Sequence, residues 1–202
     1  MNKQRLEAFS DGVYAIVITL LILEIKIPEV DPAVLGPALV QLIPQLLTYV
    51  LSFFIVGLYW HAHHHVSVQV KQVNSPFIWL NLVWLLFVSV LPFPTALLGR
   101  YALQPIPLTI YGINLILVNL IGFVIVYYLR HHPELCVTLI TSAALRAQVP
   151  IYVVVNAIYA AAIAAAWYIP WLSYTVYILL LFYMMSRYAR RANPVEAEIS
   201  HV

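Results

Sequence analysis

Charge is confined to the seams of this chain. Between residues 12 and 23 no charged side chain occurs, and equally apolar runs recur down its length. Charges and prolines break these runs into six expected spans, about 9–27, 38–65, 76–98, 107–129, 149–167 and 170–188. At about 1.5 Å per residue, each is long enough to cross a hydrocarbon layer of roughly 30 Å as a helix. The second run is interrupted by Pro44, and the third contains LPFPT at Leu91–Thr95. Neighbouring helices or water can satisfy the carbonyls that proline frees. The polar seams are a loop at 28–37, a turn SVQVKQVNS at 67–75 and a connector at 130–148 expected to hold a short helix. The expected fold is all-α: one polytopic bundle of six transmembrane helices, without an internal repeat.

The first run carries the most pattern. Arg5, Glu7, Ser10 and Asp11 precede it, and Thr19 is its one polar interior residue. Ile16, Thr19, Leu20 and Leu23 stand at i, i+3, i+4 and i+7, so they share one helix face. By itself that face reads as lipid-facing or packed, with Thr19 bonded back to its own backbone. Ser10 and Asp11 read as an N-cap near the positive end of the helix dipole. A second reading of Asp11 is a buried polar anchor with a partner from another span.

Composition sharpens the class. Of 202 residues, 63% are hydrophobic and 9% charged, where a soluble domain carries roughly 25% charged residues. The acidic and basic residues crowding the start, with no small-residue cleavage site after the apolar run, argue against a signal peptide. Lys3, Arg5, Lys71, Arg130, Arg146, Arg187, Arg190 and Arg191 fall on one side of the expected topology. Only Lys26 and Arg100 fall on the other. The positive-inside rule then puts both termini in the cytoplasm. Trp79, Tyr127, Tyr128, Trp167, Trp171 and Tyr188 lie near span ends, where aromatic rings prefer the interface. A net charge of +2, scattered along the membrane edges, is not a nucleic-acid signature. The single cysteine, Cys136, excludes an internal disulfide and a CxxC site, and reads as a packed thiol. No Gly-rich phosphate loop, HExxH or GxSxG motif occurs. Small residues crowd the fifth span, among them Ala157, Ala161, Ala162 and Ala165. They suit close helix packing within the chain or between subunits.

Two clusters could carry chemistry. In YWHAHHH (Tyr59–His65), His61, His64 and His65 stand at i, i+3 and i+4. With His131 and His132 they admit interfacial hydrogen bonding, pH-sensitive control of a pore, or a metal site. Few carboxylates lie nearby, so no metal ligand set is assigned. Glu24, Glu29 and Asp31 gather at the other end. Several copies around an axis would make an acidic vestibule that concentrates cations.

Arg5, Phe9, Ser10 and Asp11, within RLEAFSDGVYAIVITLLILEI, resemble the first-helix signature of the transmembrane protein 175 family, here in a prokaryotic form. YWHAHH (Tyr59–His64), NLVW (Asn81–Trp84) and LPFPT extend the resemblance. It implies a potassium-permeable cation channel in the plasma membrane, a homotetramer of six-helix subunits with no TVGYG filter. No cofactor is implied, and K⁺ is the permeant ion. The resemblance places the first helices around the pore, with Ile16, Leu20 and Leu23 at the constriction and Thr19 as a lumen hydroxyl. Discrimination of K⁺ over Na⁺ is expected to be modest. Arg5, Ser10, Asp11, Trp60, His61, His64, Asn81 and Trp84 would form a polar network behind that helix. Glu24, Glu29 and Asp31 would line the outer vestibule. Two other classes stay open: a proton-coupled or other secondary transporter, and a histidine-rich membrane metalloenzyme.

Overall fold

The computed structural model describes the backbone of residues 2–137 and 142–191, and the side chains of residues 2–137 and 149–188. Arg146, Arg190 and Arg191 of the basic set therefore lie outside the described side chains. The described residues form helices α1 (Lys3–Leu23), α2 (Leu35–Val40), α3 (Ile43–Ser67), α4 (Ser75–Val90), α5 (Pro92–Arg100), α6 (Pro105–His131), α7 (Ser142–Ala166) and α8 (Pro170–Arg191). Among them there is no strand, only one antiparallel bridge between Val70 and Cys136.

Each helix boundary has a local cause. α1 begins two turns before Ser10. Its N-cap is Asn2, whose side chain accepts from the Arg5 backbone N–H at 3.0 Å. Ser10 and Asp11 are thus interior residues and not the cap that the sequence suggested, because Asn2 satisfies the helix end first. At its other end α1 stops at Leu23, short of residue 27. There Lys26 folds back and its Nζ donates to the Leu23 carbonyl at 2.9 Å. Such a cation at a helix C-terminus meets an orphan carbonyl. The second run splits into α2 and α3, and Pro44 falls in the first turn of α3, where its missing N–H costs nothing. The third run breaks at Leu91, because Pro92 and Pro94 remove two donors in succession. α5 resumes at once, held by Thr95, whose hydroxyl lies 2.8 Å from the Leu91 carbonyl. The described part of the connector holds a 3₁₀ turn, Pro133–Leu135, and residues from Ser142 join α7, earlier than the expected 149.

Among the described residues five stretches are long and apolar enough to cross a membrane: Lys3–Leu23, Ile43–Ser67, Ser75–Arg100, Pro105–His131 and Val149–Ala166. α8 is not among them; its final turns carry the polar sequence SRYARR.

α6 is the central post. It packs against α4, α5, α7 and α8, and buries Leu108, Tyr111, Leu115 and Val118 completely. α1 packs on α3, α4 and α5. Of the small residues in α7, Ala162 and Ala166 are buried inside the subunit, whereas Ala160 and Ala161 are exposed. At the end carrying Lys71 and Arg130 the bridge ties two connections together: the Lys71 N–H donates to the Leu135 carbonyl, and the Val137 N–H to the Gln69 carbonyl, each at 2.8 Å.

Gly122 of α6 lies against the six-membered ring of Trp84. A Cβ there would stand 2.7 Å from Cζ3 and 2.9 Å from Cη2 of the indole. Overpacking a filled core costs typically about 1–3 kcal/mol. Gly122→Ala is therefore expected to lower the thermal midpoint of the detergent-purified protein. An unchanged midpoint would show that Trp84 can retreat.

Candidate pore helix and its polar support

α1 has two dissimilar faces. Leu6, Ser10, Tyr14, Val17 and Leu21 are buried, spaced by three and four as one helical face requires. On the opposite side Ile16 is 59% exposed, Leu20 42% and Leu23 61%, with Thr19 also exposed. The Thr19 hydroxyl lies 3.0 Å from the Ala15 carbonyl and 2.9 Å from that of Ile16. Its proton goes back to the helix, so its oxygen lone pairs point outward as acceptors only.

The buried face is held by polar side chains from α3 and α4. Ser10 donates to the Leu6 carbonyl at 2.9 Å and accepts from Asn81 Nδ2 at 3.1 Å. The Asn81 oxygen bonds His63 Nε2; an amide oxygen only accepts, so that nitrogen carries the proton. One turn along, the Tyr14 hydroxyl accepts from Trp84 Nε1 at 2.7 Å and donates to the Tyr59 carbonyl at 3.2 Å. Ser10, Asn81, His63, Tyr14 and Trp84 are all under 10% exposed. A second contact lies at the rim, where Trp60 Nε1 donates to Asp11 Oδ1 at 2.9 Å and His64 stacks on the Trp60 ring.

Ser10, Asn81 and Trp84 take part in these buried hydrogen bonds. Asp11, Trp60 and His64 form a separate rim group. Asp11 is exposed in the subunit, and its partner, Trp60, comes from another span. Arg5 is exposed and joins neither group. His61 turns away to place its ring edge-on to Tyr188, at 5.2 Å between centroids. The buried histidine is His63. The face of α3 turned inward runs through Ser52, Ile55, Val56, Tyr59 and His63, and that register excludes His61 and His64. Tyr14, Tyr59 and His63 were missed. Their spacing was the available signal: Ser10 and Tyr14, like Tyr59 and His63, stand four apart. His61, His63 and His64 point to three different partners. Among the described residues no three His, Cys, Asp or Glu side chains gather to hold a metal.

At the far end of α1, Glu24, Glu29 and Asp31 are exposed. Asp31 Oδ1 accepts from the Ala33 N–H at 2.9 Å and so caps a 3₁₀ turn. Glu24 lines a cavity of about 360 Å³ together with Lys26 and Arg100, so basic side chains share the acidic end. The Cys136 thiol is buried outside the spans; burial pushes its pKa up, with the Glu134 carboxylate acting the same way and Lys71 opposing them.

Asn81→Leu removes the one side chain that joins Ser10 to His63. It leaves the His63 N–H buried without an acceptor, which costs about 1–3 kcal/mol. A lower thermal midpoint is expected, with His63→Leu in the same chain recovering part of the loss. Two independent, fully additive losses would show that the two side chains are not coupled.

Comparison with known proteins locates this arrangement. The sequence profile described as endosomal/lysosomal potassium channel TMEM175 matches residues 5–92. A potassium channel of Chryseobacterium is 44% identical over 117 residues, covering 58% of this chain and 59% of that protein. A potassium channel of Streptomyces collinus is 48% identical over 103 residues, covering 50% of each. The chain thus spans about half the length of the curated relatives it matches. The crystal structure of a lysosomal potassium-selective channel TMEM175 homologue from Chamaesiphon minutus superposes with a TM-score of 0.79 at 29% identity. It covers 92% of this chain and 97% of that one. Residues 5–92 thus match the TMEM175 family profile, and the whole follows the fold of a solved TMEM175 homologue.

Proposed function

We propose that the chain forms a homotetrameric, potassium-permeable cation channel in a prokaryotic plasma membrane, with six spans counting α8 and both termini cytoplasmic. The observation that carries this reading is the division of α1. Its polar face is committed to α3 and α4, while Ile16, Thr19, Leu20 and Leu23 are left without a partner in the subunit. The relatives named as potassium channels support the same reading.

Four copies of α1 around an axis put branched side chains in stacked rings at Ile16, Leu20 and Leu23. A narrow apolar ring resists water and can close a pore by dewetting. Between the rings, Thr19 supplies oxygen lone pairs whose proton is already engaged with the backbone. Four such acceptors replace part of a cation's hydration. That favours the more weakly hydrated K⁺ over Na⁺, with modest discrimination. Glu24, Glu29 and Asp31 of four subunits ring the outer end and raise the local cation concentration, within a screening length of about 8–10 Å. The chemistry is permeation, with no bond made or broken and no cofactor. The transporter reading gains no observation of its own. For the metalloenzyme reading the histidines point apart.

The test is cysteine scanning of residues 13–25 in a Cys136→Ser background, in liposomes carrying a K⁺ gradient and a counter-ion shunt. A water-soluble thiol reagent is expected to block flux at positions 16, 20 and 23. Block centred on 18, 22 and 25 instead overturns the face assignment. Ile16→Ala and Leu20→Ala are expected to raise Na⁺ leak at a stability cost below the roughly 2–5 kcal/mol of a core truncation. Thr19→Val keeps the shape, removes the lone pairs and is expected to shift the reversal potential toward lower K⁺ preference.

A further inference from the structure

α7 and α8 leave between them a groove of about 480 Å³, walled by residues from Pro150 to Ile158 on α7 and from Val176 to Tyr183 on α8. Tyr183 is the only side chain in that wall with a polar atom. Val154 and Leu179 flank it, 53% and 62% exposed. α1 packs on α3, α4 and α5, so the groove belongs to a different side of the bundle from the α1 face. At membrane depth such a space cannot stay empty cheaply, because its walls lose their contact partners. Nor does it suit water, which needs two to four polar partners. Hydrocarbon is the filling that fits.

What the hydrocarbon belongs to is indicated at the basic end. One turn beyond Tyr183, Arg187 lines a crevice of about 80 Å³ that shares Ile151 and Val155 with the groove wall. Asn119 and Tyr188 line it too. Among the described residues Arg187 has no carboxylate partner. Arg130, at the same end of the bundle, keeps its Nε buried with no hydrogen-bond partner. A planar guanidinium pairs with phosphate through two parallel hydrogen bonds. Polar tyrosine tips beside an apolar slot suit the boundary between headgroup and chain.

We propose that the α7–α8 groove is a binding site for an anionic glycerophospholipid, with one acyl chain between the two helices and the phosphate on Arg187. The inference rests on the membrane-spanning placement of α7 and α8 in the proposed function, and not on conduction.

The full-length protein, stripped of lipid in detergent, is titrated with phosphatidylglycerol or phosphatidylcholine, and bound lipid is counted by native mass spectrometry. Phosphatidylglycerol is expected to bind the more tightly. Arg187→Gln should weaken it about fivefold, the effect of one basic residue on an anionic headgroup, and leave phosphatidylcholine unchanged. Arg187→Lys should keep most of the preference. Val154→Trp and Leu179→Trp, at exposed positions that tolerate bulk, should weaken both lipids alike by filling the slot. Phosphatidylglycerol binding indifferent to Arg187→Gln, or lipid counts indifferent to both tryptophans, overturns the site. So does dissociation of the assembly by the tryptophans at unchanged lipid count, which would mean that a second copy of the chain covers the groove. K⁺ flux on the same samples separates the two ideas: intact lipid binding without flux removes the channel reading and leaves this site standing.

Discussion

A hydroxyl or an indole N–H at membrane depth has no water to fall back on, and this single constraint orders the α1 side of the bundle. Ser10 and Tyr14 project from one side of α1, and each must find protein partners or forfeit the free energy of a buried, unpaired group. Asn81, Trp84 and the Tyr59 carbonyl supply them. Once those bonds form, α1 can present only one other face. The exposure of Ile16, Thr19, Leu20 and Leu23 is therefore a consequence of where the polar groups went, as much as of the aliphatic residues themselves.

The same constraint explains why the broken helices are tolerated. The break at Leu91 is bridged inside the protein: the Leu91 carbonyl accepts from the Thr95 backbone N–H at 3.1 Å and from the Thr95 hydroxyl at 2.8 Å, and that hydroxyl lies 2.7 Å from Ser52 Oγ. Ser52 in turn meets the Tyr111 hydroxyl at 2.9 Å on α6. A short ladder of hydroxyls thereby fastens the kinked third span to the second and to the central post. Across the proline pair, side-chain hydroxyls add to the backbone bonds that remain.

Much of the fold was legible because hydropathy reports solvent, and here the solvent is lipid. The apolar runs located the helices, and Asn81 and Trp84 announced themselves as polar groups within apolar sequence. Helix ends were less legible: nothing in RLEAFSDG distinguishes a cap at Ser10 from a helix already begun at Asn2, since both side chains can accept a backbone N–H. The histidines misled for a related reason. HAHHH offers three candidates on one helix, and which of them turns inward depends on the rotation of α3, which is set by Ser52, Ile55 and Val56 a turn or more away. Tyr14 was hidden because a tyrosine in an apolar run looks like bulk until the indole that binds it is known. The groove between α7 and α8 could not be read at all, because it is made by the separation of two helices and not by any residue.

The contact between Trp84 and Gly122 carries a mechanical meaning. The six-membered ring of the indole abuts bare backbone of α6 while its N–H holds Tyr14 of α1. Spinning α1 about its own axis would tear the Tyr14 hydroxyl from two partners and the Ser10 hydroxyl from a third. Tilting α1 together with α3 and α4 breaks none of them. Of the ways a helix can move, the subunit therefore forbids the turn of a key and permits the swing of a door, with the Gly122 surface as its jamb.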